Sequence, residues 1–148
     1  IGLKFFNVYG KNEIHKKKMA SVLSQKLPDI NKGKEVILFK HYHHNQFCEA
    51  ERDFIYVEDV AKIILKLIEI DTSSTILNIG TGISLPFSYF IKIAYRCNNF
   101  EAKINFIDLP KKYHGKYQMR TKAPIQKLKK FFPEFKFTNP EAAIKKML

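Results

Sequence analysis

Two apolar segments that each close on a glycine place the strongest constraint on how this chain folds. LKFFNVYG (3–10) and TILNIG (75–80) are short, rich in β-forming residues and bounded by turn residues, which predicts two buried strands. Between them, residues 58–70 carry the clearest amphipathic helical pattern of the chain, with apolar side chains at Val60, Ile63, Ile64, Leu67 and Ile68. A helix that connects two such strands predicts an α/β fold.

Further elements alternate in the same way. Glu58 and Asp59 open the central helix, where the helix dipole favours negative charge, and Pro28 is expected to stop an earlier helix. We expect KHYHHNQFCEAE (40–51) to be a loop because it has no apolar period. The other predicted elements are helices over 18–27, 84–96 (capped by Ser84), 124–131 and from 139 onward, and strands over 35–39, 52–57 and 103–110.

The two apolar strands need neighbouring strands, and the chain supplies few of them. A doubly wound nucleotide-binding sheet normally opens with a glycine-rich G-x-G-x-x-G turn, and the 6 glycines here are not spaced in that way. At 148 residues the chain has the length of one ordinary domain. We therefore expect a piece of a larger α/β protein, entered partway through its fold.

A formal net charge of +12 gives the chain a positive field that attracts nucleic acid, anionic lipid or phosphorylated small molecules. The lysines are dispersed in short groups, which is typical of solvated helix faces, so nucleic-acid binding is not favoured as the main function. Hydrophobic residues make up 45% of the chain, enough for a packed core, and no apolar run approaches the roughly 18 residues that span a membrane. Cys48 and Cys97 lack metal or redox spacing and are interpreted as reduced thiols of a cytoplasmic protein.

Several polar side chains are candidates for chemistry, and each also has a simpler structural explanation. The histidines of residues 41–44, with Cys48 and Glu49 nearby, could bind a metal, but they lack paired ligand spacing, so incidental loop histidines are favoured. For Arg52 and Asp53, the simpler explanation is an ordinary pair of charged side chains at the surface. An arginine fork, however, also suits a diphosphate or the hydroxyls of a sugar.

Asn7 is unusual because it interrupts an otherwise apolar strand. A buried amide must be hydrogen-bonded, so Asn7 is either a structural bridge or a ligand contact, and the residue alone does not decide between the two. Tyr117, in the segment HGKYQ, is on its own interpreted as a surface side chain.

Four motifs together give a stronger indication than any single residue. FFNVYG, RDFIYVEDVA, LNIGTG and GKYQ occur in this order and resemble the C-terminal half of the extended short-chain dehydrogenase/reductase family, which includes the nucleotide-sugar epimerases and dehydratases. HKKKMASV is similar to H-K-G-S-M-A-S-V, and HGKYQ to K-G-R-Y-Q, of the subfamily of 6-epimerases that act on ADP-linked heptose. The resemblance covers nearly the whole chain.

The resemblance implies a Rossmann-type fold with a smaller substrate-binding subdomain, of which residues 1–148 are the C-terminal half. It implies NADP as cofactor, with NAD as the alternative, and a nucleotide-sugar substrate epimerised at C6 through transient oxidation, a step in the synthesis of lipopolysaccharide core precursors. The missing N-terminal half would be supplied in cis or in trans, and the complete enzyme would be a homo-oligomer away from membranes. This piece alone is not expected to turn over.

The resemblance also assigns roles to individual residues. Lys16 is implied to be a catalytic base and a cofactor contact, and Lys17 and Lys18 would add positive charge beside it. The other implied contacts are Val8 for the cofactor, and Asn7, Phe39, Arg52 and Tyr117 for the substrate.

Departures from the family pattern leave the sugar open. Lys11 replaces a proline after FNVYG, Lys18 replaces a serine two residues beyond Lys16, and Gln25 replaces a substrate-side histidine. The long stretch 40–51 replaces a small Glu-Gly-Ser turn. Another NAD(P)-dependent nucleotide-sugar epimerase or dehydratase is one alternative, and a stand-alone basic module that binds nucleic acid or anionic surfaces is the other.

Overall fold

The computed structural model describes residues 1–43 and 46–148. Strands and helices alternate along this part of the chain, which confirms the predicted α/β class. The elements are β1 (Gly2–Phe5), β2 (Asn7–Tyr9), α1 (Val22–Ile30), β3 (Val36–His43), β4 (Gln46–Glu49), β5 (Glu51–Arg52), β6 (Phe54–Tyr56), α2 (Val57–Ile68), β7 (Ile76–Ile79), β8 (Leu85–Pro86), α3 (Phe87–Cys97), β9 (Ile104–Asp108), α4 (Gln126–Phe131) and α5 (Pro140–Met147), with 3₁₀ segments at Ile14–Met19 and Lys111–Tyr113.

The two glycine-terminated strands are each other's neighbours. β1 pairs with β7 in parallel, in a register that sets Gly2 opposite Ile76 and Phe5 opposite Ile79. The connection from β1 to β7 is long, and its last part is the helix α2, which leads from β6 into β7. The strands thus find part of their pairing within the chain, although their sequence separation had suggested that partners were scarce.

The segment LKFFNVYG is one strand in the prediction and two in the structure. The amide of Phe6 donates to Ile79 O at 2.9 Å, whereas the amide of the next residue, Asn7, donates to Asp53 O at 3.1 Å. Adjacent amides of an extended chain point to opposite edges, so the segment leaves β7 and joins β6 on its other edge. A crevice opens where the strands part, and ligands of open α/β sheets bind at such places.

The predicted loop over residues 40–51 is wrong. β3 and β4 form an antiparallel hairpin in which Tyr42 faces Phe47 and Lys40 faces Glu49, and β3 also pairs in parallel with β9. Aromatic and opposite-charge pairs across the strands favour this hairpin. Phe47 also packs edge-on against Phe106 of β9, with the ring centroids 5.2 Å apart, and that contact is invisible to a search for local periodicity.

Two helices begin at other residues than predicted. α1 starts after Ser21, whose hydroxyl accepts the amide of Ser24 at 3.2 Å, and it continues through Pro28, which was expected to stop it. Pro28 lies in the last turn, where its missing amide costs only one helical hydrogen bond. Ser84 does not cap α3, because pairing with β5 holds Leu85–Pro86 extended and the helix begins at Phe87.

The core consists of two apolar clusters. One lies among α1, α3, α5 and β3, and the other joins α2 and α4 to β1, β6 and β7. Val60, Ile63 and Leu67 of the predicted helix face are buried, as expected, while Ile68 is 75% exposed at the helix end. Phe54 of the larger cluster, and Phe87 that packs against it, also line a cavity at the crevice.

Asp53 is the most consequential correction to the sequence analysis, because it is fully buried and not half of a surface pair. Its carboxylate accepts hydrogen bonds from Thr81 N and Thr81 Oγ1, both at 2.7 Å, from Gly82 N at 2.8 Å and from Ala123 N at 2.9 Å. These bonds tie the turn after β7 and the segment before α4 to the start of β6. Phe54 at the start of β6 and Thr121 in the segment before α4 also line cavities at the crevice.

In residues 1–43 and 46–148, no helix combines the length and the apolar character that crossing a bilayer requires.

We predict that Asp53→Asn lowers the free energy of unfolding by about 2–4 kcal/mol, because an amide nitrogen replaces one acceptor oxygen against buried donors. Chemical denaturation of the wild-type chain and the variant measures the difference. Asp71→Asn, at an exposed position, is the matched control and should change stability by no more than about 0.5 kcal/mol. Equal stabilities of wild type and Asp53→Asn would contradict the role given to this carboxylate.

Candidate active site

A buried glutamate organises the loop that carries Lys16. Glu13 is only 5% exposed, although it stands in a strongly basic stretch. Its two carboxylate oxygens accept hydrogen bonds from Gly10 N at 3.1 Å, and from Ser21 N, Ser21 Oγ and Ser24 Oγ, each at 2.8 Å. The loop between β2 and α1 therefore closes around this one side chain.

The same carboxylate faces Lys16, with 3.5 Å between Lys16 Nζ and Glu13 Oε2. Burial by itself raises the pKa of the Glu13 carboxyl, but the hydrogen bonds from Ser21, Ser24 and Gly10 outweigh it and hold that pKa below its ordinary value. The nearest charge to Lys16 is thus an ionised carboxylate. From the sequence we expected only positive neighbours, Lys17 and Lys18, beside Lys16. The structure corrects this expectation, because the Glu13 carboxylate also lies beside Lys16.

The backbone of Lys17 is strained. Lys17 has φ 49° and ψ −120°, inside the 3₁₀ segment, and this conformation suits glycine far better than any residue with a Cβ. The similar motif H-K-G-S-M-A-S-V has a glycine at this position. The strain lies directly beside Lys16 and sets the direction in which the loop leaves it.

Three of the predicted site residues line one cavity of about 290 Å³. Asn7 and Val8 enter it from β2, and Lys16, which is 39% exposed at its side chain, enters it from the loop. The rings of Phe54 and Phe87 form an apolar wall. An apolar wall with a few polar groups at its edge is typical of a small-molecule site.

Arg52 is held between two aromatic rings. Its guanidinium carbon lies 5.4 Å from the ring centroid of Phe87 and 5.6 Å from that of Tyr117, and its Nη1 donates to Glu51 O at 2.8 Å. Burial lowers the pKa of the Arg52 guanidinium and raises that of the Tyr117 phenol, and the interaction between the two groups partly offsets both shifts. The Arg52 guanidinium is therefore held in one orientation, shielded from water, beside the uncharged phenol of Tyr117.

Phe39 completes this aromatic group. Its ring stands edge-on to that of Tyr117, with centroids 6.4 Å apart and an interplanar angle of 87°. Phe87 belongs to both the Lys16 cavity and the Arg52 stack, so all six predicted site residues lie in one connected region. Their placement agrees with the predicted roles, and the roles themselves remain predictions.

Asn7 combines the two interpretations that the sequence left open. Its Oδ1 accepts a hydrogen bond from Thr121 Oγ1 at 3.0 Å, which makes it a bridge to the segment before α4. It also lines a second cavity, of about 320 Å³, together with Gln118 and Thr121. The amide is therefore fixed on one side and faces open space on the other.

Sequence reasoning missed Glu13, Phe87 and Thr121. The acidic residue inside a basic loop, followed by Ser21 and Ser24 at helix-capping spacing, was a usable signal for Glu13. Phe87 and Thr121 had no such signal, because their partners lie more than 30 residues away in the sequence.

The histidine-rich stretch offers no metal site among residues 1–43 and 46–148, where three or more His, Cys, Asp or Glu side chains never converge on one point. His44, one of the residues considered, lies outside the described residues. Several of the lysines and arginines are paired with carboxylates, for example Lys146 with Glu58 at 2.6 Å and Arg96 with Glu141 at 2.9 Å.

Parallel strands with a connecting helix, and polar side chains gathered where the strands part, define a Rossmann-type α/β protein. The profile of the NAD dependent epimerase/dehydratase family matches residues 1–80, and the chain belongs to this family. This confirms the resemblance inferred from the motifs. A nicotinamide cofactor follows in general terms from the family, and the choice between NAD and NADP does not.

Comparison with individual relatives narrows the similarity to one kind of epimerase within this family. The chain is 34% identical over 143 residues to the ADP-L-glycero-D-manno-heptose-6-epimerase of Nitratidesulfovibrio vulgaris (strain DP4), a match that covers 96% of this chain and 44% of the relative. It is 38% identical over 136 residues to the protein of the same name from Fusobacterium nucleatum subsp. nucleatum, covering 86% and 41%.

A solved structure is also similar to this chain over nearly its whole length. The crystal structure of the Helicobacter pylori ADP-L-glycero-D-manno-heptose-6-epimerase superposes with a TM-score of 0.77 at 28% identity, covering 99% of this chain and 42% of that one. The chain thus spans less than half the length of the relatives it matches.

We predict that Lys17→Gly raises the free energy of unfolding by about 1 kcal/mol, because relief of the positive-φ strain exceeds the entropy that glycine adds to the unfolded chain. Chemical denaturation provides the measurement. Lys18→Gly removes the same charge at a neighbouring position without positive φ and should lower stability or leave it unchanged. The idea of strain at Lys17 fails if both variants shift stability alike.

We also predict a pH-dependent contribution from Glu13. Because its pKa is lowered on folding, its stabilisation is present above the ordinary carboxyl value of 4.5 and is lost as the pH falls through the folded-state pKa. Glu13→Gln should therefore cost about 1–2 kcal/mol at pH 7, and the difference from wild type should shrink below about pH 4.5.

Urea denaturation of both chains from pH 7 to pH 3 measures this difference. Glu101→Gln, at an exposed position, serves as the control and should show no such convergence. A Glu13→Gln difference that stays constant over the whole pH range would contradict the prediction.

Proposed function

We propose that this chain forms the substrate-side part of a nucleotide-sugar epimerase that inverts C6 of an ADP-linked heptose. The names of the relatives from Nitratidesulfovibrio vulgaris, Fusobacterium nucleatum and Helicobacter pylori support this substrate. The single observation that carries the proposal is the convergence of the Lys16 ammonium, the Asn7 amide and the Arg52 fork around one aromatic wall.

Epimerisation at a hydroxyl-bearing carbon needs three balanced movements. A proton leaves the hydroxyl for a base, the carbon loses a hydride and becomes a ketone, and the hydride then returns to the opposite face of the carbon while a proton returns to its oxygen. A nicotinamide cofactor, when bound, would supply the hydride chemistry. The protein must therefore hold the sugar close to a proton-transferring side chain and keep water away.

Lys16 is the proposed proton-transferring group. Its Nζ reaches the cavity that Asn7 and Val8 line, and Glu13 at 3.5 Å fixes the side chain without enclosing it. Because the ionised Glu13 favours the ammonium form, Lys16 would donate the proton that returns to the substrate oxygen, and the base that takes the first proton would belong to the part of the enzyme that this chain does not cover. Val8, with the rings of Phe54 and Phe87, supplies the apolar contact for the cofactor.

Arg52 and Tyr117 are proposed to hold the phosphate side of the substrate. A guanidinium presents several donors in one plane and binds a diphosphate through paired hydrogen bonds. Only one of the Arg52 donors is directed to Glu51 O. Phe39 and Tyr117 close the site with apolar surface, which strengthens a charged contact by excluding water.

The finer assignments rest on the resemblance. We propose NADP as the cofactor, a cytoplasmic location, and a place for residues 1–148 as the C-terminal half of an enzyme that is a homo-oligomer when complete. Gln25, at the position of a substrate-side histidine in the family, donates to Ala20 O at 2.7 Å and so ties the Lys16 loop to α1. Gln25 is thus bonded to the protein's own backbone at a position where the family has a substrate-side histidine. For this reason the test also includes other nucleotide-sugars as substrates.

The experiment joins this chain to the portion of the Fusobacterium nucleatum relative that the match leaves uncovered, and assays C6 epimerisation of ADP-D-glycero-D-manno-heptose. Lys16→Met should lower kcat by about 10²–10⁴, the usual contribution of a positioned proton-transfer group, while NADPH still binds by fluorescence titration. Lys32→Met, at an exposed turn, removes an equal charge and should leave kcat unchanged.

In the same assay, Arg52→Lys keeps the charge but loses the planar fork, so it should raise KM more than it lowers kcat. UDP-glucose and GDP-mannose serve as competitor substrates. Preferred turnover of either one would replace the heptose assignment, and full activity of Lys16→Met would remove Lys16 from the mechanism.

A further inference from the structure

The hydroxyl of Thr121 stands between the two residues that connect the fold to the crevice. Thr121 Oγ1 accepts the backbone amide of Asp53 at 3.2 Å and donates to Asn7 Oδ1 at 3.0 Å. Asn7 and Thr121 are 114 residues apart in the sequence, so only the fold brings them together.

The atoms in contact give the direction of both bonds. A backbone N–H can only donate, so the bond from Asp53 occupies a lone pair of Thr121 Oγ1 and leaves the hydroxyl proton free to donate. The oxygen of the Asn7 amide satisfies that proton. The amide nitrogen, with its two donors, is then turned away from Thr121.

Asn7 borders both cavities of this region, the one with Lys16 and the one with Gln118, and Phe6 is the other residue that the two share. An amide whose oxygen is engaged by Thr121 offers hydrogen-bond donors to this space. A ligand group that meets the amide nitrogen of Asn7 must therefore be an acceptor.

We propose that Thr121 is a positioning residue that orients the Asn7 amide, so that Asn7 donates to an acceptor oxygen of the bound nucleotide-sugar. This rests on the proposed function for the identity of the ligand, and on the geometry of the free protein for the orientation. It assigns a function to the segment before α4 that the six predicted site residues leave unexplained.

Thr121 can carry this role because its backbone is fixed. The amide of Glu51 donates to Met119 O at 2.8 Å, the amide of Thr121 donates to Glu51 O at 3.2 Å, and the amide of Ala123 donates to the Asp53 carboxylate at 2.9 Å. The segment therefore lies along residues 51–53 like an added strand. Tyr117 precedes the same segment, so one backbone positions both the aromatic cover of Arg52 and the partner of Asn7.

The first test needs no ligand. In the full chain, the side-chain amide signals of Asn7, identified by their loss in Asn7→Asp, are followed by ¹⁵N NMR. Thr121→Val removes the hydroxyl and keeps the branched shape, and it should move both signals toward the positions of a solvent-exposed asparagine. Thr121→Ser keeps the hydroxyl and should leave them in place. Unchanged signals in Thr121→Val would overturn the proposal.

The second test measures kinetics in the joined enzyme with ADP-D-glycero-D-manno-heptose. Loss of one oriented hydrogen bond of about 1 kcal/mol should raise KM about fivefold in Thr121→Val, with kcat within about twofold, and Thr121→Ser should restore KM. Thr138→Val is the matched control, because Thr138 Oγ1 also donates to a buried acceptor, Asp59 Oδ1 at 2.7 Å, away from both cavities. It should lower stability without changing KM.

A double-mutant cycle separates positioning from a general structural effect. If Thr121 acts through Asn7, Thr121→Val should add nothing to the KM of Asn7→Ala. Additive effects would overturn the proposal, as would an unchanged KM in the single variant. A wild-type enzyme that fails to convert the heptose would count against the proposed function alone, since the NMR comparison still decides the role of Thr121.

Discussion

One buried carboxylate holds together the part of the molecule on which the site depends. Asp53 joins the turn after β7, the start of β6 and the segment before α4 through four hydrogen bonds. The approach is so close that a Cβ on Gly80 would lie 2.6 Å from the Cβ of Ala123, so only glycine fits there. Arg52 and Thr121 take their positions from this junction, and without it the crevice would lose two of its sides.

Two other buried carboxylates also connect separate segments of the chain through hydrogen bonds. Glu13 closes the Lys16 loop, and Asp59 accepts Thr138 N and Thr138 Oγ1, both at 2.7 Å, which fastens the entry to α5 onto α2. A buried acidic group is stable only when donors surround it, and backbone amides of loops provide them. In a chain with a net charge of +12, these three acidic residues are used inside the fold, while many lysines stay at the surface.

Several features of the site depart from the family pattern. Lys17 holds a strained conformation where the similar motif has glycine, Gln25 is engaged by the backbone of the loop, and the β3–β4 hairpin occupies the place of a short turn. These features are not confined to one side of the crevice, because Phe39 of β3 contacts Tyr117 beside Arg52. Asn7 and Arg52 are residues that the family pattern leads us to expect.

The sequence by itself determined the alternation of strands and helices, the amphipathic face of α2 and the motifs that identify the family. These features are local, because each depends on spacing within a few residues. It did not determine that LKFFNVYG divides between two partner strands, that residues 40–51 form a hairpin, or that Asp53 is buried. Tertiary structure decided those points, because each depends on hydrogen bonds or ring contacts between residues far apart in the chain, as in the bond from Thr121 to Asn7. Contacts between residues so far apart produce no periodic pattern in the sequence. Only the folded structure shows that the Asn7 amide is bonded to Thr121 on one side and faces a cavity on the other.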